Sequence, residues 1–300
     1  MLEPSAQPAI ESPVSLWRQR VYAVGSAMRR APLLPTIGVV TIIVCAIFGP
    51  LIAPYSPTKT DLMNNMAPPV WDGGNWSHPL GTDKLGRDML SRIIHGARVS
   101  MSLSVAVIIL GGSVGIMLGL VTGFMGGKAD AVVQRGVEAV LSMPLILVAL
   151  VFMAAFGSSF TNVIFILSPF IAARFCRMVR GETLTIKGLD YVALAMVVGS
   201  PTLRTVWKHI LPNVLNTIIV LATLEVGALI LVESSLSFLG VGIPPPRPAW
   251  GLMVADGRDY IQTQYWLSLI PGLAILLSVM SLNLFGDWLR DTLDPRRRQL

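Results

Sequence analysis

The stretch AVLSMPLILVALVFMAAFGSSFTNVIFILSPFIAA, residues 139–173, carries no charged side chain. As one helix its 35 residues would be about 52 Å long, at 1.5 Å per residue. The hydrocarbon core of a bilayer is about 30 Å thick and is crossed by about 20 apolar residues. One helix is too long for that layer, whereas two helices joined by a turn fit it. Gly157-Ser158-Ser159 place turn formers in the middle of the run. We therefore read a hairpin of two membrane helices. The first draws on residues 131–138 and the second on 174–179, with Pro144 near the inner end of the first.

Working outward, residues 31–58, 99–127 and 260–286 are also free of charge, and between His209 and Pro246 only Glu225 and Glu233 interrupt the pattern. Over the chain 53% of residues are hydrophobic and 13% are charged, against about 25% charged in an ordinary soluble domain. These runs predict an all-α, polytopic membrane protein with six transmembrane helices. Residues 31–300 form one membrane domain, because no soluble stretch is long enough to build a core of its own. Residues 1–30 precede it as a cytoplasmic segment, either a helix lying on the inner membrane surface or a polar tail.

The formal net charge of +6 raises the possibility of a nucleic-acid partner. The placement of the bases argues instead for a membrane. With six spans and the N-terminus inside, 16 of the 23 Lys and Arg fall on the cytoplasmic side, as the positive-inside rule expects. A five-helix chain with its N-terminus outside scores 15 to 8, but it leaves Arg29 and Arg30 outside, against the first helix. The first apolar run starts late and is too long for a signal-peptide core, so it reads as an uncleaved anchor. Cys45 and Cys176 lie in or beside spans and do not suggest a disulfide framework.

Gly111, Gly115, Gly119, Gly123 and Gly127 recur every fourth residue in the second helix. Such a ridge of small residues lets a neighbouring backbone approach closely in lipid. Trp71 and Trp76, in the loop to Arg98, suit the outer interface, where tryptophan concentrates.

Catalytic signatures are missing. Gly126-Gly127-Lys128-Ala129 has neither the spacing nor the hydroxyl of a phosphate-binding loop. His78, His95 and His209 have no ligand partners at metal-binding spacing, so no metal site is expected. Gly-x-Ser-x-Gly and His-Glu-x-x-His are absent as well, which disfavours a membrane hydrolase. An ion-coupled transporter commonly shows paired broken helices in an internal repeat, and no helix pair recurs here.

The segment Asp190–Gly199, followed by His209-Ile210-Leu211-Pro212-Asn213, resembles the EAA loop of bacterial ABC importers. Ala195, Gly199, Leu211 and Pro212 match that pattern. Ala193, Leu194 and His209 replace its glutamate, first alanine and isoleucine. Gly199 and Pro201 stop one helix, a second restarts near Thr202–Lys208, and Pro212 breaks it before the membrane. Three further segments resemble the C-type permease of the dipeptide/oligopeptide/nickel group. They are His78-Pro79-Leu80-Gly81-Thr82-Asp83 with Gly86-Arg87-Asp88, then Leu236–Gly240 with Pro244-Pro245 and Trp250-Gly251, then Asn283–Asp291 with Leu293-Asp294-Pro295.

The resemblance implies a type I importer permease in the bacterial cytoplasmic membrane, with both termini cytoplasmic and no catalytic residues. A paralogous B-type permease would complete a heterodimer. Two ATPase subunits would bind ATP and Mg, and an extracytoplasmic solute-binding protein would deliver di- or oligopeptides, or else nickel or another small solute. The coupling element would be residues 190–213, with Ala195, Gly199, Ser200, Pro201, Thr202, Leu211 and Pro212 facing the ATPases. Arg87, Asp88 and Arg92 read as a cap and salt-bridge lattice in the outer loop, or as a contact with the binding protein.

Glu225 belongs to no family pattern. If the fifth helix begins near Asn213, Glu225 lies about 18 Å along it, close to the bilayer midplane. A carboxylate there faces the bundle interior or a water-filled path. It lines the substrate pathway and favours a solute with a positive group, or it is a buried protonated carboxyl, or it pairs with the sister subunit. Glu233, in the Glu-x-x-Leu-Ser-Phe-Leu-Gly pattern, reads as structural, with an arginine partner.

Overall fold

The computed structural model describes residues 32–293. The readings of residues 1–30, of the Arg29-Arg30 flank and of the tail from Asp294 lie outside them. The described chain is helix, turn and loop, with one isolated backbone pairing, Thr82 to Asp88.

Helix α1 is Leu33–Ile52 and α2 is Met89–Met125. Two shorter helices follow, α3 at Gly127–Ser142 and α4 at Leu145–Phe156. Helix α5 is Phe160–Lys187 and α6 is Asp190–Val197. Helix α7 runs Thr202–Phe238, α8 is Trp250–Gly257 and α9 is Trp266–Leu293. Five of these are long and apolar enough to cross a membrane; α3 and α4, bent by 85°, make a sixth crossing if counted together.

Contacts between helix ends show that the pair is a crossing. At one end of the bundle, which we call lower, Lys187 Nζ donates to the Phe124 carbonyl at 2.6 Å. Asn216 Nδ2 donates to the Leu293 carbonyl there at 3.3 Å. At the upper end, the Arg247 guanidinium lies 5.2 Å from the centre of the Phe160 ring. Trp250 Nε1 donates to the Ile93 carbonyl at 3.0 Å, and the Tyr55 amide donates to Ser91 Oγ at 3.0 Å. The chain thus enters α3 at the lower end, beside Met125, and leaves α4 at the upper end, beside Phe160. Six traverses place Leu33 and Leu293 on the same side.

Residues 131–156 read as one helix in the sequence, and the structure breaks it at Met143-Pro144. Proline cannot donate to the i−4 carbonyl, and its ring forces the preceding residue out of the helical region. Met143 is accordingly extended, with φ −81° and ψ 134°. The lower piece, α3, is amphipathic and buries Val137 against Ala173 and Cys176. The 12 residues of α4 reach only about 18 Å and do not cross alone.

The predicted glycine ridge is the seam between α2 and α5. A Cβ on Gly111 would lie 2.4 Å from the Ser168 carbonyl oxygen, and on Gly115 2.3 Å from that of Ala172. On Gly119 it would meet the Cys176 carbonyl at 2.8 Å, and on Gly123 the Thr183 Cβ at 2.8 Å. Four glycines therefore bring two backbones together over three turns. Gly127 is not part of the seam: its φ is +67° with no neighbour near, so it serves the turn into α3.

Pro212 does not break the chain before the membrane. Helix α7 passes through it, beginning at Thr202 rather than near Asn213. A widened turn at Val206–Ile210 lets the Leu211 amide bond back to the Val206 carbonyl, five residues earlier. Asn213 Nδ2 then bonds the His209 carbonyl at 2.7 Å. Such π-type turns open the ladder by one residue, which makes room for a proline ring.

Candidate functional site: the coupling segment and a polar pair within the bundle

Helix α6 ends in a Schellman arrangement. The Ser200 amide donates to the Ala195 carbonyl at 3.0 Å and the Gly199 amide to the Met196 carbonyl at 3.0 Å. Gly199 has φ +88° and no atom within 4 Å of a would-be Cβ. Its requirement is thus conformational and not one of space, since L side chains disfavour that region. Pro201 precedes the first turn of α7. Thr205 Oγ1 donates to Ser200 Oγ at 3.1 Å and so ties the connecting turn to the first turn of α7. Ala195, Gly199, Ser200, Pro201 and Thr202 are therefore neighbours in one corner. Leu211 and Pro212 lie beyond the widened turn, where α7 joins the bundle.

The corner is fastened from inside. Val192 is fully buried among Leu120, Phe124, Ile186, Ile210 and Val214, which belong to α2, α5 and α7. Asn213 Nδ2 adds a bond to Tyr191 Oη at 3.1 Å. Outward, Leu194, Val197, Val198 and Leu203 are exposed, Val198 at 86%. Only Leu194 falls on a position of the EAA-like pattern, where it replaces an alanine; the exposure of Leu194, Val197 and Val198 comes from the helix turn that buries Val192. A contiguous apolar patch on a rigid, capped helix pair is the usual mark of a docking surface.

Glu225 lies in α7, buried to 7% exposure. Its Oε2 accepts from Arg174 Nη1 of α5 at 2.8 Å. The side chain of Arg174 is 43% exposed, that of Glu225 only 9%. The acid is the anchored member and the guanidinium the accessible one. In the sequence Arg174 counts only among the cytoplasmic bases; the structure places it instead near the middle of α5. A count of residues from the two upper turns, at Gly157 and Gly240, would have brought these residues to similar depth.

Among the described residues, Glu233 has no arginine partner. It is fully buried and accepts from Ser237 Oγ at 2.6 Å and from Ser100 Oγ of α2 at 3.4 Å. The Ile243 amide donates to Ser237 Oγ at 3.2 Å. Glu233 thus ties α7 to α2 and to the turn above. Hydroxyl donors satisfy the carboxyl locally, so no cation is required.

The loop at the upper end contains the expected lattice. Asp88 caps α2 by accepting from the Ser91 amide at 2.8 Å, and its other oxygen meets His78 Nδ1 at 3.0 Å. Asp83 accepts from Arg87 Nε at 2.6 Å, and Arg92 Nη1 donates to the Pro57 carbonyl at 3.1 Å. Arg87, Asp88 and Arg92 are all buried, which fits a loop-holding role.

Residues 115–299 match the family described as the binding-protein-dependent transport system inner membrane component. Residues 36–69 match the N-terminal TM domain of oligopeptide transport permease C. The chain is 40% identical over 256 residues to the di/tripeptide transport system permease protein DppC of Pseudomonas aeruginosa, covering 85% of this chain and 84% of that one. It is 36% identical to the dipeptide transport system permease protein DppC of Haemophilus influenzae, over 90% of this chain and 92% of that one. A probable D,D-dipeptide transport system permease protein, DdpC of Escherichia coli, is 35% identical over 90% of this chain and 89% of its own.

Proposed function

This chain belongs to the family of binding-protein-dependent transport system inner membrane components, and from that membership we propose that it is the C-type half of a permease importing di- and oligopeptides across the bacterial cytoplasmic membrane. A paralogous B-type permease is the other half. Two ATPase subunits, which bind ATP and Mg, dock at the lower end, and a solute-binding protein docks at the upper end. The lower end faces the cytoplasm, which puts both termini there and agrees with the distribution of Lys and Arg. The peptide assignment rests on what the relatives are named for.

The observation that carries this reading is the corner at Ala195–Thr202. It is an exposed apolar surface, rigidly capped and fixed through Val192 to three of the long helices. A push on Leu194, Val197, Val198 and Leu203 is transmitted to α2, α5 and α7 together. Closure of the ATPases around ATP therefore moves those helices as a group, and the cavity between the two permease halves alternates between the membrane faces. Ala195, Gly199, Ser200, Pro201, Thr202, Leu211 and Pro212 form the coupling frame. Glu225, with Arg174, stands on the substrate pathway. The chain makes and breaks no bonds.

Reconstitution of this permease with its sister, the ATPases and the binding protein into liposomes tests the reading. We expect uptake of a labelled dipeptide that requires ATP and the binding protein. Uptake of nickel with no peptide movement would replace the substrate, and uptake independent of ATP would remove the importer.

A further inference from the structure

The position of Arg174 is unusual for a membrane helix. It lies 14 residues into α5, about 21 Å from Phe160 and still within a hydrocarbon layer about 30 Å thick. Yet its side chain is 43% exposed. A guanidinium at that depth does not face lipid at low cost; it faces a cavity or another polar surface. Helix α5 presents its opposite side to α2, through Ala172, Phe175, Cys176 and Val179. The side that carries Arg174 also exposes Arg177 and Met178 one turn lower, then Gly181. It forms a strip that carries two guanidiniums at and below mid-depth, with Met178 and, nearer the lower end, Leu184 exposed beside them.

Glu225 holds one edge of the guanidinium at 2.8 Å. Among the described residues, Arg174 has no second acceptor and Arg177 has none. Glu182 lies two turns below Arg174 and accepts from Thr217 Oγ1 at 3.4 Å. Near the depth of Arg174, then, there are two guanidiniums and one carboxylate, and only Arg174 engages it. A planar guanidinium fixed on one edge presents the other as a fork of N–H donors, the geometry that suits a carboxylate.

We infer that Arg174 is a specificity-determining residue of the translocation path, binding the carboxylate of the passing solute at mid-depth, with Glu225 as the residue that positions it. This rests on the import reading above and deepens it, because every unmodified peptide carries a terminal carboxylate. It also reverses the sign of the expectation for Glu225 alone. The acid is occupied, and the charge offered to the solute is positive.

The test uses the reconstituted complex. A labelled dipeptide and its C-terminal amide are each supplied at concentrations that saturate the binding protein, so that the rate reports the permease. Arg174→Gln is expected to slow the free acid about tenfold or more, as loss of a charge-assisted bond does, and to leave the amide within about twofold. Arg174→Lys is expected to recover part of the loss. Arg174→Gln/Glu225→Gln is expected to stay slow. Full recovery in that double variant would make the pair an internal neutralisation and overturn the inference. So would equal slowing of acid and amide, an unchanged rate, or dissociation of the sister permease from Arg174→Gln on purification. Failure of the unmodified complex to move any peptide would instead sink the import reading.

Discussion

Helices α1 and α5 both leave much of their surface uncovered by the rest of the chain, and what they uncover is opposite in kind. The exposed side of α1 includes Leu33, Leu34, Ile37, Val40, Val44, Ile47, Phe48 and Leu51, with Thr41 as its one polar side chain and no charge. The exposed side of α5 includes Met178 and Leu184 but also two cations, Arg174 and Arg177. In water both would count simply as exposed. In a bilayer the first is a surface for lipid or for another apolar helix, and the second is excluded from lipid by the cost of an uncovered cation. Exposure in a membrane protein is thus two properties, separated by the chemistry of the exposed stripe.

The sharpest way to break that comparison is to give α1 the charge that α5 carries. Val44 lies 11 residues into α1, about 16 Å from its start. Val44→Arg is expected to cost about 3 kcal/mol of insertion free energy or more. The yield of detergent-extracted, monodisperse protein, measured by size-exclusion chromatography, should fall severalfold. Normal yield would mean that α1 also borders a polar cavity. A somewhat smaller effect belongs to the covered side of α5. Gly115→Leu must displace the Ala172 carbonyl, which would lie 2.3 Å from the new Cβ. Overpacking of this kind costs about 1–3 kcal/mol, and thermal unfolding should shift down. Gly136→Ala, in a helix where no atom lies within 4 Å, is the control and should leave the transition in place or raise it slightly.

This contrast explains how far the sequence alone could be read. Runs of uncharged residues mark lipid crossings directly, so α1, α2, α5, α7 and α9 are visible, and the four-residue repeat of glycine announces a close seam on α2, though not that α5 fills it. Turn chemistry at Gly199-Ser200-Pro201 located the corner of the coupling segment. What stayed hidden depends on contacts distant in sequence. Glu225 finds Arg174 across 51 residues and Glu233 finds Ser100 across 133; no local spacing encodes either. The break at Pro144 was hidden for a different reason. Proline marked the position, but hydropathy reads the same through an 85° bend as through a straight helix. Pro212 shows the converse: the same residue type is carried through a helix by one widened turn.

Moving from the path to the surface that drives it, Gly199 sharpens the comparison at lower energy. Its φ of +88° costs a non-glycine residue about 1 kcal/mol or somewhat more. Gly199→Ala should therefore leave the fold and membrane insertion intact, because the strain is confined to one exposed corner. The expected change is in coupling: ATP hydrolysed per peptide taken up should rise about twofold or more as the cap frays. An unchanged ratio in reconstituted complexes would show that the Schellman corner does not transmit the ATPase movement.

The smallest perturbation tests the comparison most directly. Met178, 45% exposed on α5, and Val40, 52% exposed on α1, lie at similar depths, about 14 Å and about 10 Å from the lower ends of their helices. Either can become cysteine with little change in volume or packing, once Cys45 and Cys176 have been replaced by alanine. A thiol reacts with a water-soluble maleimide as the thiolate, which forms only where water reaches. Met178→Cys, beside Arg174 and Arg177, should be labelled in inside-out vesicles. Val40→Cys should stay largely unlabelled, although it is both the more exposed and the closer to the lower end. If exposure alone governed access, Val40→Cys would react at least as fast. If the strip on α5 were sealed by the sister permease, neither would react, and peptide supplied with ATP would not change that. Labelling of Met178→Cys that slows when transported peptide is present would place solute on the strip itself.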